Sequence, residues 1–277
     1  MAIITISRGT FSGGQILAEA VAEKLGYRCI ARETLAEAAR QYGVAEEKLS
    51  KALSEKPGFL EHLTSERIHY LAYFRAILFK EVRDTKVVYH GHVGNLLLKE
   101  VPHVLRVKVI ANMGFRIEAV MDHHHLSREE AIHFIKKVDD ERARWTKFLY
   151  HVDWNDPSLY DIVINFDKVG LPTACEIVCH AVGQNEFLTT PESMEIMDDL
   201  VLSTSLRAAI AQDDSIADGE VVIEAHGGVV TIGGVVSSLA NADKIREIIS
   251  KTPGVKEFNS KMEVVYEIAD RRLIDKK

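Results

Sequence analysis

Read for its apolar positions, the first two-thirds of the chain alternates short, solidly apolar runs with longer stretches of helical spacing. Ala2–Ile6 is a β-branched apolar run that suits a strand buried on both faces. A glycine-containing loop, Ser7–Gly14, follows. Gln15–Leu25 then carries Ile16, Leu17, Ala20, Val21 and Leu25 at helical spacing, with Gly26 as the stop signal. The same reading predicts strands at Tyr27–Ile30, Val87–His90, Val104–Ile110 and Tyr160–Ile164. It predicts helices at Arg32–Tyr42, Ala45–Leu53, Phe59–Asp84, Gly91–Glu100, Gly114–Met121, Ser127–Tyr150 and Thr173–Val182. Ser127 with Glu130 three residues later is a capping box, in which hydroxyl and carboxylate satisfy orphan amides reciprocally. Strands alternating with helices imply a parallel five-stranded sheet covered on both faces, a three-layer α/β fold.

The pattern changes after Val182. Gln184–Pro191 reads as a linker and Met194–Ala211 as an amphipathic helix. Val221–Ala225 and Val229–Ile232 flank Gly227-Gly228, the residues a tight hairpin turn needs. A helix at Ala240–Ile249 and a strand at Val255–Val265 complete a small α+β module of order αββαβ. The expected division is therefore 1–186 and 187–277.

Composition narrows the classes. With 47% apolar and 27% charged residues the 277-residue chain is globular rather than disordered. Its net charge of −7, with no run of five Lys or Arg, argues against a nucleic-acid partner. No stretch approaches the roughly 20 apolar residues of a membrane span, and no signal peptide is visible, so a cytoplasmic protein is expected. Cys29, Cys175 and Cys179 lack disulfide or zinc spacing and read as small buried apolar residues. His123-His124-His125 reads as a polar helix end, since adjacent imidazoles on a helix diverge, and no metal site is expected.

The chemistry concentrates in Gly9-Thr-Phe-Ser-Gly-Gly14-Gln15-Ile16. Both glycines of a G-x-x-x-x-G-K-[ST] phosphate loop stand in register, while Gln15 replaces the lysine and Ile16 the Ser/Thr. Such a loop wraps backbone amides around an anion at a helix N-terminus, where the dipole favours negative charge. The alternative is a glycine-rich turn with no ligand. Arg8 could supply part of the missing cation, or pair with a neighbouring acid. Further on, Asp139, Arg142 and Arg144 share a helix that reads either as a solvated face with ion pairs or as one on which arginines stabilise transferred charge, with Asp139 orienting them. Positions two apart do not share a helix face, so one arginine at most is expected to point inward. Trp145, Phe148 and Tyr150 read as packing or base-stacking residues.

These features resemble the cytidylate-kinase-like P-loop family. The likeness is carried by Ile4-Thr-Ile-Ser-Arg8, Ser12-Gly-Gly14, Ala18–Gly26, Arg32-Glu33, Gly91–Leu98, Ser127–Arg144, Asp153-Trp154, Asp156-Pro157 and Tyr160-Asp161, across residues 2–182. The resemblance implies a P-loop kinase-like fold. It also implies ATP with Mg2+ as cofactors and phosphoryl transfer to a nucleoside monophosphate. Arg8, Gly9, Ser12, Gly13, Gly14 and Gln15 would hold the donor phosphates. Arg32, His92 and Arg116 would contact the acceptor, and Arg67 is a weaker candidate. Gln15, Ala31 and His92 depart from the family's usual residues, each removing charge from the site.

Residues 194–266 resemble a BON domain. The carriers are Leu202, Leu206, Ile216, Val221-Val-Ile223, Gly227–Val235, Gly254-Val255 and Asn259. That resemblance implies an interaction role, with a protein or lipid partner, and leaves a homo-oligomer open. Three functional readings follow. One is an ATP-dependent nucleoside monophosphate kinase, another a catalytically impaired nucleotide sensor acting through the BON domain, and the third a structural or partner-binding protein with no ligand.

Overall fold

The structure, a computed structural model, describes residues 2–31, 39–45, 48, 65–91, 93–213, 215–216 and 221–265. Strand β1 (Ile3–Arg8) occupies the centre of a five-stranded sheet. Around it lie β2 (Arg28–Ala31), β3 (Val87–His90), β4 (Val104–Ile110) and β5 (Ile162–Asn165), in the order β2-β3-β1-β4-β5. Every pairing is parallel. A parallel sheet needs both faces covered, and the alternation along β1 divides its side chains between two cores. Ile4 and Ile6 join Val88, Leu105, Val107 and Val109 against helices α1 (Gly14–Leu25) and α6 (Leu171–Val182). Ile3 joins Val87, Tyr89 and Val104 on the other face, under helix α2 (Ser65–Val82). The short α3 (Gly94–Leu97) follows β3, and α4 (Met113–His124) and α5 (Arg128–Tyr150) follow β4.

Several boundaries differ from the sequence reading, each for a local reason. β5 begins at Ile162 rather than Tyr160, because Tyr160 sends its hydroxyl to the Trp154 carbonyl (2.7 Å) and Asp161 turns back to grip Arg106. Of the helix expected over 32–42, the described part is a 3-10 turn, Ala39–Tyr42; residues 32–38 lie outside the described residues. The helix expected at Ala45–Leu53, and the first turns of the one expected from Phe59, also fall largely outside them. Cys29, expected buried, is exposed, because β2 is an edge strand. Cys175 is buried as expected, and its Sγ lies 3.9 Å from that of Cys179. The capping box at Ser127 is formed as read.

The expected linker is shorter than its composition suggested. Thr190 caps helix α7 (Pro191–Ala211), receiving the Ser193 amide while Ser193 answers it, and Pro191 sits in the first turn, where its missing N–H costs nothing. The module built on this helix has the order αββαβ. β6 (Val222–His226) pairs antiparallel with β7 (Val229–Val236), and after α8 (Leu239–Lys251) strand β8 (Glu257–Val264) pairs parallel with β7. Gly227 and Gly228 both hold positive φ (59° and 85°), which the tight turn requires. The Asp199 carboxylate accepts both of their amides, at 2.9 and 3.3 Å.

α7 serves two cores. Leu202, Leu206 and Ile210 form one stripe against the three-stranded sheet. Met197, Val201, Ala208 and Ala211 form another, packed with Phe74, Ile77 and Leu78 of α2. The Tyr73 hydroxyl donates to the Ala211 carbonyl (2.7 Å), and Arg83 pairs with Asp198. Each fully buried aliphatic side chain contributes roughly 1.5–3 kcal/mol, so the second stripe makes the C-terminal helix part of the N-terminal core. Met197→Ala should therefore destabilise the N-terminal sheet domain, by about 2–5 kcal/mol in denaturant titrations. An effect confined to the C-terminal module would contradict the shared packing.

Candidate active site

The loop between β1 and α1 is shaped by three close approaches. Ser12 donates its amide and its hydroxyl to the Gly9 carbonyl (3.2 and 3.1 Å), and the hydroxyl also reaches Val109 O of β4 at 3.0 Å. Gly13 adopts φ 88°, and a Cβ there would lie 2.7 Å from the Phe166 ring. A Cβ on Gly14 would lie 2.6 Å from the Arg8 side chain. Phe11, at φ 54°, turns outward and stacks edge-on against His123, His124 and Phe134, docking the loop tip on α4 and α5 instead of filling the turn. Helix α1 then starts without a side-chain cap and without an acid in its first turn. The amides of Gly14, Gln15 and Ile16 carry the positive end of the helix dipole, as the first amides of a helix have no partner within it.

Thr10 gathers the charged groups. Asp139 Oδ1 accepts from the Thr10 amide (3.1 Å) and hydroxyl (2.7 Å), and its Oδ2 accepts from Arg116 Nη2. Arg116 Nε donates to the Thr10 carbonyl at 2.7 Å. Arg142 Nη1 donates to Thr10 Oγ1 (3.2 Å) and to the Arg8 carbonyl (3.4 Å). Two guanidiniums and one carboxylate thus meet beside the loop. Asp139 orients Arg116, not the arginines of its own helix. Arg144 faces away and bonds the Asp140 carbonyl of its own turn. Gln15 turns its carboxamide to Glu19 at 3.0 Å, and Ile16 is 55% exposed. Arg32 and His92 lie outside the described residues, as does the side chain of Arg67. Among the described residues no cluster of three or more His, Cys, Asp or Glu could hold a metal.

A cavity of about 490 Å3 opens against the loop, with Arg8, Phe11, Ile16, Phe115, Phe134 and Arg142 in its wall. A second polar cluster, missed from the sequence, lies across the sheet. Lys108 is opposite Ser7 in the β1–β4 register, so both side chains leave by the same face. Its ammonium is buried, donates to the Trp154 carbonyl (2.8 Å) and Asn155 Oδ1 (3.0 Å), and lies over the rings of Trp154 and Tyr160. Burial pushes its pKa down to about 8, against the opposing pull of Asp153 and Asp139. Ser7 Oγ donates to Asn95 Oδ1 (3.0 Å), and Asn95 reaches the Leu159 carbonyl. These bonds pin the 153–160 segment over the strand ends, beside the loop.

A strand, glycine loop and helix thus stand at the centre of a parallel sheet, with arginines arriving from α4 and α5. The sequence model described as the cytidylate kinase-like family matches residues 3–168. The chain belongs to the cytidylate kinase-like family. A BON domain model matches residues 198–266, so the family's domain is fused here to a BON domain. The cytidylate kinase of Methanothrix thermoacetophila is 24% identical over 164 residues, covering 59% of this chain and 87% of that protein. That of Pyrococcus horikoshii is 25% identical over 169 residues, covering 60% and 80%. In fold, the chain is similar to a crystal structure of an uncharacterized protein from Eubacterium ventriosum. The TM-score is 0.53 at 20% identity, over 67% of this chain and 100% of that one. No helix among the described residues is long and apolar enough to cross a membrane.

Two measurements test this geometry. Gly13→Ala should cost about 1–3 kcal/mol, since the new methyl meets both a positive φ and the Phe166 ring. Gly9→Ala should cost clearly less, because its Cβ would stand an ordinary 3.5 Å from Arg116; equal losses in urea titrations would contradict the loop geometry. For Lys108, the unfolded chain holds the proton up to about 10.5 and the folded protein only to about 8. The unfolded state binds more protons in that window, so stability rises with pH across it and is lost as pH falls through it. Lys108→Met should flatten this rise below about pH 10, where tyrosines begin to ionise; an unchanged slope would place the effect elsewhere.

Proposed function

We propose that the N-terminal domain binds a nucleoside phosphate at the start of α1 and transfers a phosphoryl group from ATP to a nucleoside monophosphate. The observation that carries this reading is the meeting of Arg116 and Arg142 on Thr10, beside three amides of α1 that lack a helical partner. Phosphoryl transfer asks little covalent chemistry of a protein and depends on positioning and on cations at the migrating charge. In this reading the amides of Gly14, Gln15 and Ile16 hold donor phosphate oxygens and Arg142 stabilises the transferred group. Arg116, steadied by Asp139, keeps the loop open around them. Arg8 adds charge where the loop lacks a lysine, and Arg32 and His92 belong to the acceptor side. Family membership supports the reaction class, and the cavity beside the loop has room for a nucleotide.

The fit differs between the two cofactors. ATP suits a cradle of helix amides bordered by two arginines. Magnesium does not suit the side chains: Ile16 offers no oxygen where a Ser/Thr hydroxyl would hold the ion, and no carboxylate lines the cavity among the described residues. Gln15, which lines the cavity without a positive charge and donates its carboxamide to Glu19, favours a second reading. In it the domain binds nucleotide without turnover and signals through the BON domain, whose protein or lipid partner the sequence does not name.

A coupled assay of the full chain against a panel of nucleoside monophosphates separates the two. Turnover with any acceptor supports the kinase. Binding without turnover leaves the sensor, and the absence of nucleotide affinity excludes both. Gln15→Lys should tighten ATP binding about tenfold, the worth of one charge-assisted hydrogen bond.

A further inference from the structure

We infer that two copies of this chain join through the outer edge of β8, antiparallel about a two-fold axis at Asn259, so that the three-stranded sheet of one continues into that of the other. β8 is the last strand in the order β6-β7-β8 and runs for eight residues. β7 pairs with one side of it, and among the described residues no strand lies on the other. Such an edge presents N–H and C=O groups that a further strand can pair with. The other sheet edges are less available: β2 and β5 have four residues each, and α7 packs along β6.

The side chains of β8 fit a second copy of themselves. Successive residues of a strand alternate between its faces. Phe258 and Met262 pack toward the core of the module, while Glu257, Asn259, Lys261 and Glu263 stand exposed on the opposite face. Neither Glu257 nor Lys261 has an ion-pair partner among the described residues. Nor can they reach each other, because four residues of strand hold them about 13 Å apart. An antiparallel copy centred on Asn259 sets Glu257 opposite the partner's Lys261, and the symmetry repeats the pair on the other side of the axis. On the core side it sets Phe258 opposite the partner's Ser260, which brings the two Phe258 rings into diagonal reach across the axis.

The charges also select the register. An axis at Ser260 would set Glu257 against the partner's Glu263, and one at Lys261 would set two ammoniums face to face, both unfavourable. An axis at Met262 would pair Lys261 with the partner's Glu263 and leave Glu257 out of the contact. Exposed charges of this kind decide which pairing forms more than how tightly it holds.

The test is sedimentation velocity of the full chain over a range of concentrations at low ionic strength, where exposed charges are least screened. The expected result is a dimer. Glu257→Lys and Lys261→Glu should each raise its dissociation constant about tenfold, since each reversal sets like charges opposite one another at two symmetry-related places. The variant carrying both exchanges restores opposite charges and should recover the original dissociation constant. A monomer at every concentration would overturn the inference, as would a dimer that neither single reversal weakens. A dimer weakened by Lys261→Glu but not by Glu257→Lys would place the axis at Met262 and overturn the pairing inferred here. Failure of the double exchange to restore the dimer would overturn it as well.

Discussion

The Asp139 carboxylate joined to Thr10 is the contact on which the site's arrangement depends. Its oxygens hold the loop's first amide and hydroxyl on one side and Arg116 on the other. Arg116 and Arg142 converge on Thr10 from two helices, and the carboxylate supplies the counter-charge to Arg116 there. The contact also ties α5 to the loop, so the helix carrying Arg142 is positioned by the same bond that shapes the cradle. Phe11 reinforces this from the apolar side by seating on α4 and α5.

The parts of the fold that were legible in the sequence are those in which local chemistry and tertiary context agree. Ile3, Ile4 and Ile6 announce a buried central strand and are fully buried. Ser127 and Glu130 announce a helix start, and Gly227-Gly228 a hairpin, because caps and positive-φ turns are decided within a few residues. α7 was read late by three residues, since Thr190-Pro191 sits in a polar stretch whose composition resembles a linker. Its cap is nonetheless of a recognisable kind, with a hydroxyl at Thr190 answered by Ser193.

The site was less legible, because its partners are far apart in sequence. Spacing alone shows that Arg142 and Arg144 cannot share a helix face, but not which of them meets a loop more than a hundred residues earlier. Nor does spacing reveal that Asp139 serves Arg116, which lies on another helix. Lys108 is a different case, because the strand around it carries a signal. A lysine inside Val104–Ile110, otherwise a run suited to a strand buried on both faces, must either reach solvent or find buried partners. It finds Trp154, Asn155 and two aromatic rings.

The same logic explains why the C-terminal module is not a detachable appendage. A helix with one apolar stripe can leave its neighbour at small cost, whereas α7 has two, spaced so that Met197, Val201, Ala208 and Ala211 face α2 while Leu202, Leu206 and Ile210 face the BON sheet. Close-packed interiors transmit displacement rather than absorb it. α7 in turn carries Asp199, which grips the turn at Gly227 and Gly228. α2 packs directly beneath Tyr89 and Trp145, the latter one turn beyond Arg142. Packed side chains and two hydrogen bonds to one carboxylate thus connect the arginine helix, α2 and the hairpin of the BON domain.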